Sequence, residues 1–562
     1  NPMGHGVENM RYRFQWNFPI FFSPHDANKL YTCSNFLHVS TDQGRSWKVI
    51  SPDLTRIDSA KLGSSGGPIT KDNTGVEYYC TIFAAAESPH EPEVIWTGSD
   101  DGLVHITQDG GANWENVTPP MMPEWCMVNS VEIDPHNKAG VYIAATSYKM
   151  GDYHPYLYKS NDYGKTWTQI TNGIDKGHFT RVLRADPVRK GLLYAGTETG
   201  MYISFDDGNN WQPFQQNLPI VPITDLTIKD NNLIAATQGR SLWIIDDLTV
   251  LHQLTDDITS RDHHLFAPMP AYRMGGGNTR VPKNQGQNHP GGVMVYTYLN
   301  EVPADSVPVH MVFLEANGTE IKRFKRGQKK APKALKELTT GLNRFVWDMR
   351  YEDAKKFEGM ILWWGLTTGP KAIPGIYKVR LVIGTDSMEQ DFQIVSDQRS
   401  SASVEDLKAQ FDLQRDILSK LSETHEAIID MRKAKSQLMD VADRWKKDEA
   451  AKEVVKEAKR IHEEISKVEE ALYQTKNRSR QDPLNYPIRL NNKLAHLGSL
   501  VSVGDNRPTQ QSYEFYEEVT KDIDQELAKW SQLSQQDVAK LNLMIKSQAL
   551  DLIQVPSMDS AN

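Results

Sequence analysis

The sequence predicts a mainly β chain with a helical C-terminal region: β-propeller blades over residues 1–250, a small β-sandwich over 291–398 and a helical hairpin or four-helix bundle over 399–562. Three observations carry this. The pattern Ser/Thr-x-Asp-x-Gly-x-x-Trp occurs four times in the first half of the chain. A Pro-containing turn stands upstream of each copy, at a matching place. Past Ser403 the apolar residues change from strand alternation to helical spacing.

The four boxes are Ser40–Trp47, Thr107–Trp114, Ser160–Trp167 and Ser204–Trp211. The carboxylates of Asp42, Asp109, Asp162 and Asp206 suit backbone N–H groups inside a hairpin turn. Gly44, Gly111, Gly164 and Gly208 supply the positive φ that the turn requires. Trp47, Trp114, Trp167 and Trp211 open the returning strand and bury a large ring between adjacent blades. These Asp residues therefore read as turn-formers and not as catalysts.

Upstream lie Ser23-Pro24-His25, Ser88-Pro89-His90, Asp134-Pro135-His136 and Asp186-Pro187-Val188, each after an apolar strand and before another, such as Val141-Tyr142-Ile143. One unit is thus strand, Pro turn, strand, short turn, strand, box hairpin, strand: a four-stranded antiparallel blade. A fifth unit, Ile223 to Asp247, has strands without the box. Five blades from about residue 11 to 250 pose a closure problem, because propellers close with about four to eight blades. The chain begins Asn1-Pro2-Met3, with neither an initiator Met nor a signal peptide. The expectation is a partial ring whose missing blades lie on a preceding segment or on another chain.

Residues 251–290 are irregular and rich in Gly, Pro and Asn, which reads as a linker or wrapping loop. Alternating runs at Val293–Tyr298, Val309–Leu314, Arg344–Asp348, Gly375–Val382 and Phe392–Val395 suggest a sandwich of immunoglobulin or fibronectin type. Lys322, Arg323, Lys325, Arg326, Lys329 and Lys330 make one connection locally basic. Ser403 is a fitting N-cap, with Glu405 and Asp406 in the first turn. Apolar stripes follow from Leu407 to Trp445 and from Val454 to Leu472; later helices centre on Leu490–Val501 and Tyr513–Trp530, the second extended through Gln536 to Leu552.

Composition narrows the function classes. A net charge of -9 over 562 residues creates no field that gathers nucleic acid. Cys33, Cys80 and Cys126, an odd count without CxxC, read as buried strand residues rather than a disulfide framework. No apolar run approaches the ~20 residues of a membrane helix.

The boxes and strand pattern resemble sortilin-like and BNR-repeat (Asp-box) propellers, which include sialidases and xyloglucanases. A likeness over nearly the whole chain is to a bacterial group of large sortilin-like proteins. It is carried by Trp47–Thr55, Thr81–Pro89, Thr97–Leu103, Thr237–Asp247 and Leu484–Lys493. Members are often labelled glycosyl hydrolases. The resemblance implies an exported, periplasmic or cell-surface location, and a chain that is the C-terminal part of a longer polypeptide. In such families the boxes sit on outer hairpins, away from the central funnel, so the box transfers fold and not activity.

Chemistry is sought in the funnel. Glycoside hydrolysis needs two carboxylates, or a Tyr nucleophile in sialidases. The nearest match to a sialidase Arg-Ile-Pro, Arg280-Val281-Pro282, stands after the blades. Candidate funnel-lining residues are Arg13, Trp16, Glu87, Asp101, Arg181 and Arg184. Glu77, Asp100, Glu132 and Glu198 are further carboxylates, and Trp16, Trp125 and Tyr153 are aromatics placed to stack on sugars. There is no HExxH, no Walker A run and no GxGxxG between strand and helix, and the 16 histidines are scattered. Neither metal nor cofactor is expected. The leading expectation is a non-catalytic exported propeller that binds a protein or peptide partner as a subunit of a larger envelope or surface assembly. The alternative is a glycan-active or carbohydrate-binding propeller.

Overall fold

The computed structural model describes residues 4–274, 282, 285–328 and 332–548. The chain divides into two compact units, residues 1–254 and 255–562.

The first unit is built of antiparallel blades. Blade 1 comprises Ile20–Phe22, Leu30–Cys33, Leu37–Ser40 and Lys48–Val49, from inner to outer strand. Blade 2 comprises Ile82–Glu87, Ile95–Ser99, Val104–Thr107 and Glu115–Asn116. Blade 3 comprises Met127–Ile133, Val141–Ser147, Asp152–Ser160 and Thr168–Gln169. Blade 4 comprises Thr180–Ala185, Leu193–Thr197, Gly200–Ser204 and Gln212–Pro213. Blade 5 has three strands, Ile223–Lys229, Asn232–Thr237 and Leu242–Ile245. Successive blades enclose apolar layers between them, such as Tyr142, Leu157, Leu183 and Trp211 between blades 3 and 4. These are β-propeller blades.

The box closes each outer hairpin with a repeated set of bonds. Asp162 accepts from the Thr166 amide at 2.9 Å and the Thr166 hydroxyl at 2.6 Å. The Ser160 hydroxyl donates to Asp162 at 2.9 Å and accepts from the Gly164 amide at 2.9 Å. Ser46, Asn113 and Asn210 hold Asp42, Asp109 and Asp206 in the same way. The turn holds two left-handed residues, where the sequence analysis expected one. Gln43, Gly110, Tyr163 and Asp207 have φ of 63°, 68°, 59° and 64°, ahead of box glycines at 82°, 96°, 81° and 86°. Two successive positive φ angles match the right-handed twist of the flanking strands.

The box glycines also allow close approach between blades. A Cβ on Gly111 would stand 2.1 Å from the Ile50 carbonyl oxygen, and one on Gly208 2.7 Å from Ile170 Cδ1. The box indoles then span the first three boundaries. Trp114, Trp167 and Trp211 donate Nε1–H to the carbonyls of Ile50, Val117 and Ile170 at 3.1, 2.8 and 2.7 Å. The Pro-turn histidines form a second tie: His25, His90 and His136 place Nε2 at 2.8, 2.9 and 2.9 Å from the carbonyls of Ser88, Asp134 and Asp186. The recurring Pro-His dipeptide is thus an inter-blade contact and not only a turn.

In the second unit two sheets share one apolar core. One has the order His263–Leu265, Val293–Leu299, Gly341–Trp347; the other Ala271–Tyr272, Asp386–Val395, Gly375–Ile383, Val309–Glu315, Glu320–Lys325. Trp347 stacks on Phe313 at 4.4 Å inside that core. The stretch expected as linker contributes two of these strands. They are two and three residues long and are held by distant partners, so local pattern could not reveal them. Lys322, Arg323 and Lys325, expected in a connection, lie in a strand whose Ile321 and Phe324 meet the core; Lys329 and Lys330 fall outside the described residues.

The long helices among the described residues are α1 (Val404–Arg444), α2 (Lys452–Leu472), α3 (Leu490–Val501), α4 (Gln510–Gln532) and α5 (Val538–Ser547). Ser403 and Asp406 form a reciprocal cap at the start of α1. Leu421, Ile428, Ile461, Ile465, Leu494 and Ile523 meet in one core. A five-residue π turn, Leu533–Asp537, breaks the expected continuation of α4, and the chain beyond 548 falls outside the described residues. No helix among the described residues is long and apolar enough to cross a membrane.

Candidate functional site

The inner strands of all five blades border one cavity of about 460 Å³, at their C-terminal ends. Its wall includes the turn prolines Pro24, Pro89, Pro135 and Pro187, and its polar groups include Glu87, Glu132 and Arg184. Arg184 is fixed five ways: to the Leu226 carbonyl at 2.7 Å, the Leu183 carbonyl at 2.9 Å, the Ser130 hydroxyl at 2.8 Å, Asp225 at 2.8 Å and Glu132 at 3.5 Å. Glu132 also accepts the Ala185 amide at 3.2 Å. Burial pushes its carboxyl up to about 7, against the pull of Arg184. Glu87 accepts the Glu93 amide at 2.9 Å. Burial, and then the nearby Glu87 charge, push the adjoining Tyr31 phenol up. A carboxyl raised towards neutrality and a second carboxyl bordering the same cavity supply the parts of acid–base chemistry. Both are held by backbone donors.

Of the six residues expected in the funnel, Glu87 and Arg184 border this cavity. The other four lie at the opposite, N-terminal ends of the inner strands. Arg13 is buried and bonded to Asp53 at 2.7 Å, Thr55 at 3.0 Å and the Cys80 carbonyl at 2.9 Å. Asp101 is buried in a turn, accepting from Ser99 at 2.5 Å and the Arg56 amide at 2.8 Å. These two are structural ties. Trp16 is exposed, its indole donating to Glu77 at 2.8 Å. Arg181 is pinned by Glu198 at 2.6 Å and lies 5.2 Å from the Phe179 ring and 5.5 Å from Tyr148.

The N-terminal ends carry two aromatic and cationic clusters. Tyr148 stacks on Phe179 at 4.9 Å, and exposed Tyr153 stands 6.1 Å from the same ring. Trp125 lies under both Arg56 at 4.8 Å and Lys61 at 3.9 Å, with Tyr79 at 6.3 Å. Sequence reasoning singled out Trp16, Trp125, Tyr153 and Arg181 but missed Tyr148, Phe179, Arg56 and Lys61. A signal for part of this existed: Tyr79, Trp125 and Phe179 each stand within three residues ahead of an inner strand.

Among the described residues no group of three or more His, Cys, Asp or Glu converges as metal ligands. Cys33, Cys80 and Cys126 are buried and unpaired. Arg280 and Val281 fall outside the described residues.

No protein-family model matches the chain. A segment is 25% identical over 194 residues to a protein of Neosartorya fischeri described as a probable oligoxyloglucan-reducing end-specific xyloglucanase; the match covers 32% of this chain and 22% of that protein. Solved structures with some likeness include the GH74 xyloglucanase from Xanthomonas campestris, at 10% identity and a TM-score of 0.31, covering 70% of this chain and 55% of that one. Another is YCF48 bound to D1 peptide, at 21% identity and a TM-score of 0.24, covering 29% of this chain and 51% of that one. These likenesses assign no activity.

Proposed function

We propose that the bladed unit is a non-catalytic binding module that holds a protein or peptide partner at the N-terminal ends of its inner strands. The observation that carries this is two clusters in which cations lie over rings, Arg181 over Tyr148 and Phe179 with Tyr153 exposed beside them, and Arg56 and Lys61 over Trp125. Trp, Tyr and Arg dominate the energetics of protein interfaces; the two rings bury large areas with few torsions to freeze, and Arg adds a planar, multidentate cation. Arg181 is already oriented by Glu198, which lowers the ordering cost of binding.

In this reading the chain is a sortilin-like, BNR-repeat protein of an exported, periplasmic or cell-surface assembly. Its two-sheet region is an immunoglobulin-type sandwich, and its helices form a four-helix bundle that adds docking surface. Affinity purification of the chain tests the proposal. A stoichiometric partner is expected with the native sequence and a loss of at least ten-fold with Tyr153→Ala/Arg181→Ala. A chain that elutes alone contradicts the proposal.

A second reading, glycan binding or glycoside hydrolysis, draws support from Glu87 and Glu132 on one cavity wall and from the 194-residue match to a xyloglucanase. It requires activity on a glycan panel that Glu132→Gln abolishes. Inactivity across the panel removes it.

A further inference from the structure

We infer that the five blades are an open segment of a larger ring, and that the free face of blade 1 is the seat of a further blade of the same kind. That blade is the one whose outer strand leads into Ile20–Phe22. The inference is independent of the partner-binding proposal.

The argument is continuity with an interface the molecule repeats. Counting strand pairs back from the box serine, Phe22 pairs with Leu30 and Leu30 with Ser40, as Ala185 pairs with Leu193 and Leu193 with Ser204. Ile20, Phe22 and Trp47 therefore hold the places of Leu183, Ala185 and Trp211. In blade 4 those three are 1%, 6% and 5% exposed, against the blade before; in blade 1 their counterparts are 61%, 64% and 42% exposed. The far side of blade 5 shows the same. Leu242 and Ile244 stand where Met201 and Ile203 stand in blade 4, and are 67% and 56% exposed instead of 2% and 2%. The ends do not cover one another.

The ties specify the occupant. Trp114, Trp167 and Trp211 each reach the carbonyl three residues beyond the previous box Trp, namely Ile50, Val117 and Ile170. Among the described residues the Trp47 indole has no such acceptor, and no histidine approaches the Ser23 carbonyl as His25, His90 and His136 approach the next three. The seat therefore takes a blade that ends in its own box, with a carbonyl three residues past the box Trp and a His after the Pro of its first turn. A second copy presenting blade 5 does not qualify, because that blade has neither box nor fourth strand. An exposed aromatic–aliphatic strand face of this kind is otherwise an aggregation hazard.

Hydroxyl-radical footprinting of the protein isolated natively from its source, beside the 562-residue chain alone, tests this. Phe22 and Trp47 are expected to be modified at least ten-fold less in the native protein, with Trp211 protected in both. A photo-cross-linker in place of Phe22 is expected to capture a peptide from a Ser/Thr-x-Asp-x-Gly-x-x-Trp blade. Equal modification of Phe22 and Trp47 in the two samples overturns the inference. So does cross-linking to a chain without the box, to a second copy of this chain, or to lipid.

Discussion

At the scale of single residues, the box aspartates act by accepting hydrogen bonds, and this fixes their pH dependence. The hydroxyl and amide of Ser46 hold the Asp42 carboxyl down from the ordinary 3.8 to about 2, and Asp109 and Asp162 are lowered by the side chain and backbone amide of Asn113 and of Thr166. A depressed folded-state value means the stabilisation is complete above about pH 4 and is lost as pH falls towards 2. Asp42→Asn is expected to lower the melting temperature at pH 7 and to flatten the fall in stability between pH 4 and 2; urea melts at both pH values check it. Glu132 has the opposite sign. Its folded-state value is raised from 4.5 to about 7, so its contribution declines as pH rises through that window. Glu132→Gln is expected to remove that decline in the same melts. The box glycines are the most exacting positions. Gly111 has φ +96° and the Ile50 carbonyl 2.1 Å from where a Cβ would be, so Gly111→Ala is expected to cost more than about 2 kcal/mol. A loss below 1 kcal/mol in chemical denaturation would show that the blades shift freely.

At the scale of elements, a blade is only as stable as its neighbours make it. Trp211 is buried between blades 3 and 4 and bonded to Ile170, so Trp211→Ala is expected to cost about 3–5 kcal/mol. Trp47→Ala in the 562-residue chain is expected to cost under about 1 kcal/mol, because that ring faces no preceding blade. Calorimetry on the two variants checks the contrast. The blades were legible in the sequence because each box ties its hairpin through residues at most four apart. The two left-handed residues per turn, and the reach of His25, His90 and His136 to the next blade, were not, since the partners of those histidines lie 63, 44 and 50 residues away. The strands His263–Leu265 and Ala271–Tyr272 escaped for the same reason. The helices were legible through their stripes and the Ser403 cap, whereas the π turn at Leu533–Asp537 has no period to betray it.

At the scale of the whole molecule, the repeat separates two kinds of surface. The cavity at the C-terminal ends of the inner strands is a fixed network around Arg184, while the N-terminal ends carry exposed Trp16 and, in a separate cluster, exposed Tyr153 and Glu198-pinned Arg181 on the Phe179 ring. The sequence listed members of both sets together, because strand alternation says which side chains face inward but not which end of a strand they occupy. The partition makes the central claim testable by comparing the two ends. Partner capture by the full chain is the direct measurement, with Tyr153→Ala/Arg181→Ala set against Glu87→Gln/Glu132→Gln. Loss of the partner by at least ten-fold with the first pair and retention with the second is the result expected of a binding face at the N-terminal ends. Retention with the first pair and loss with the second would contradict it and place recognition in the cavity.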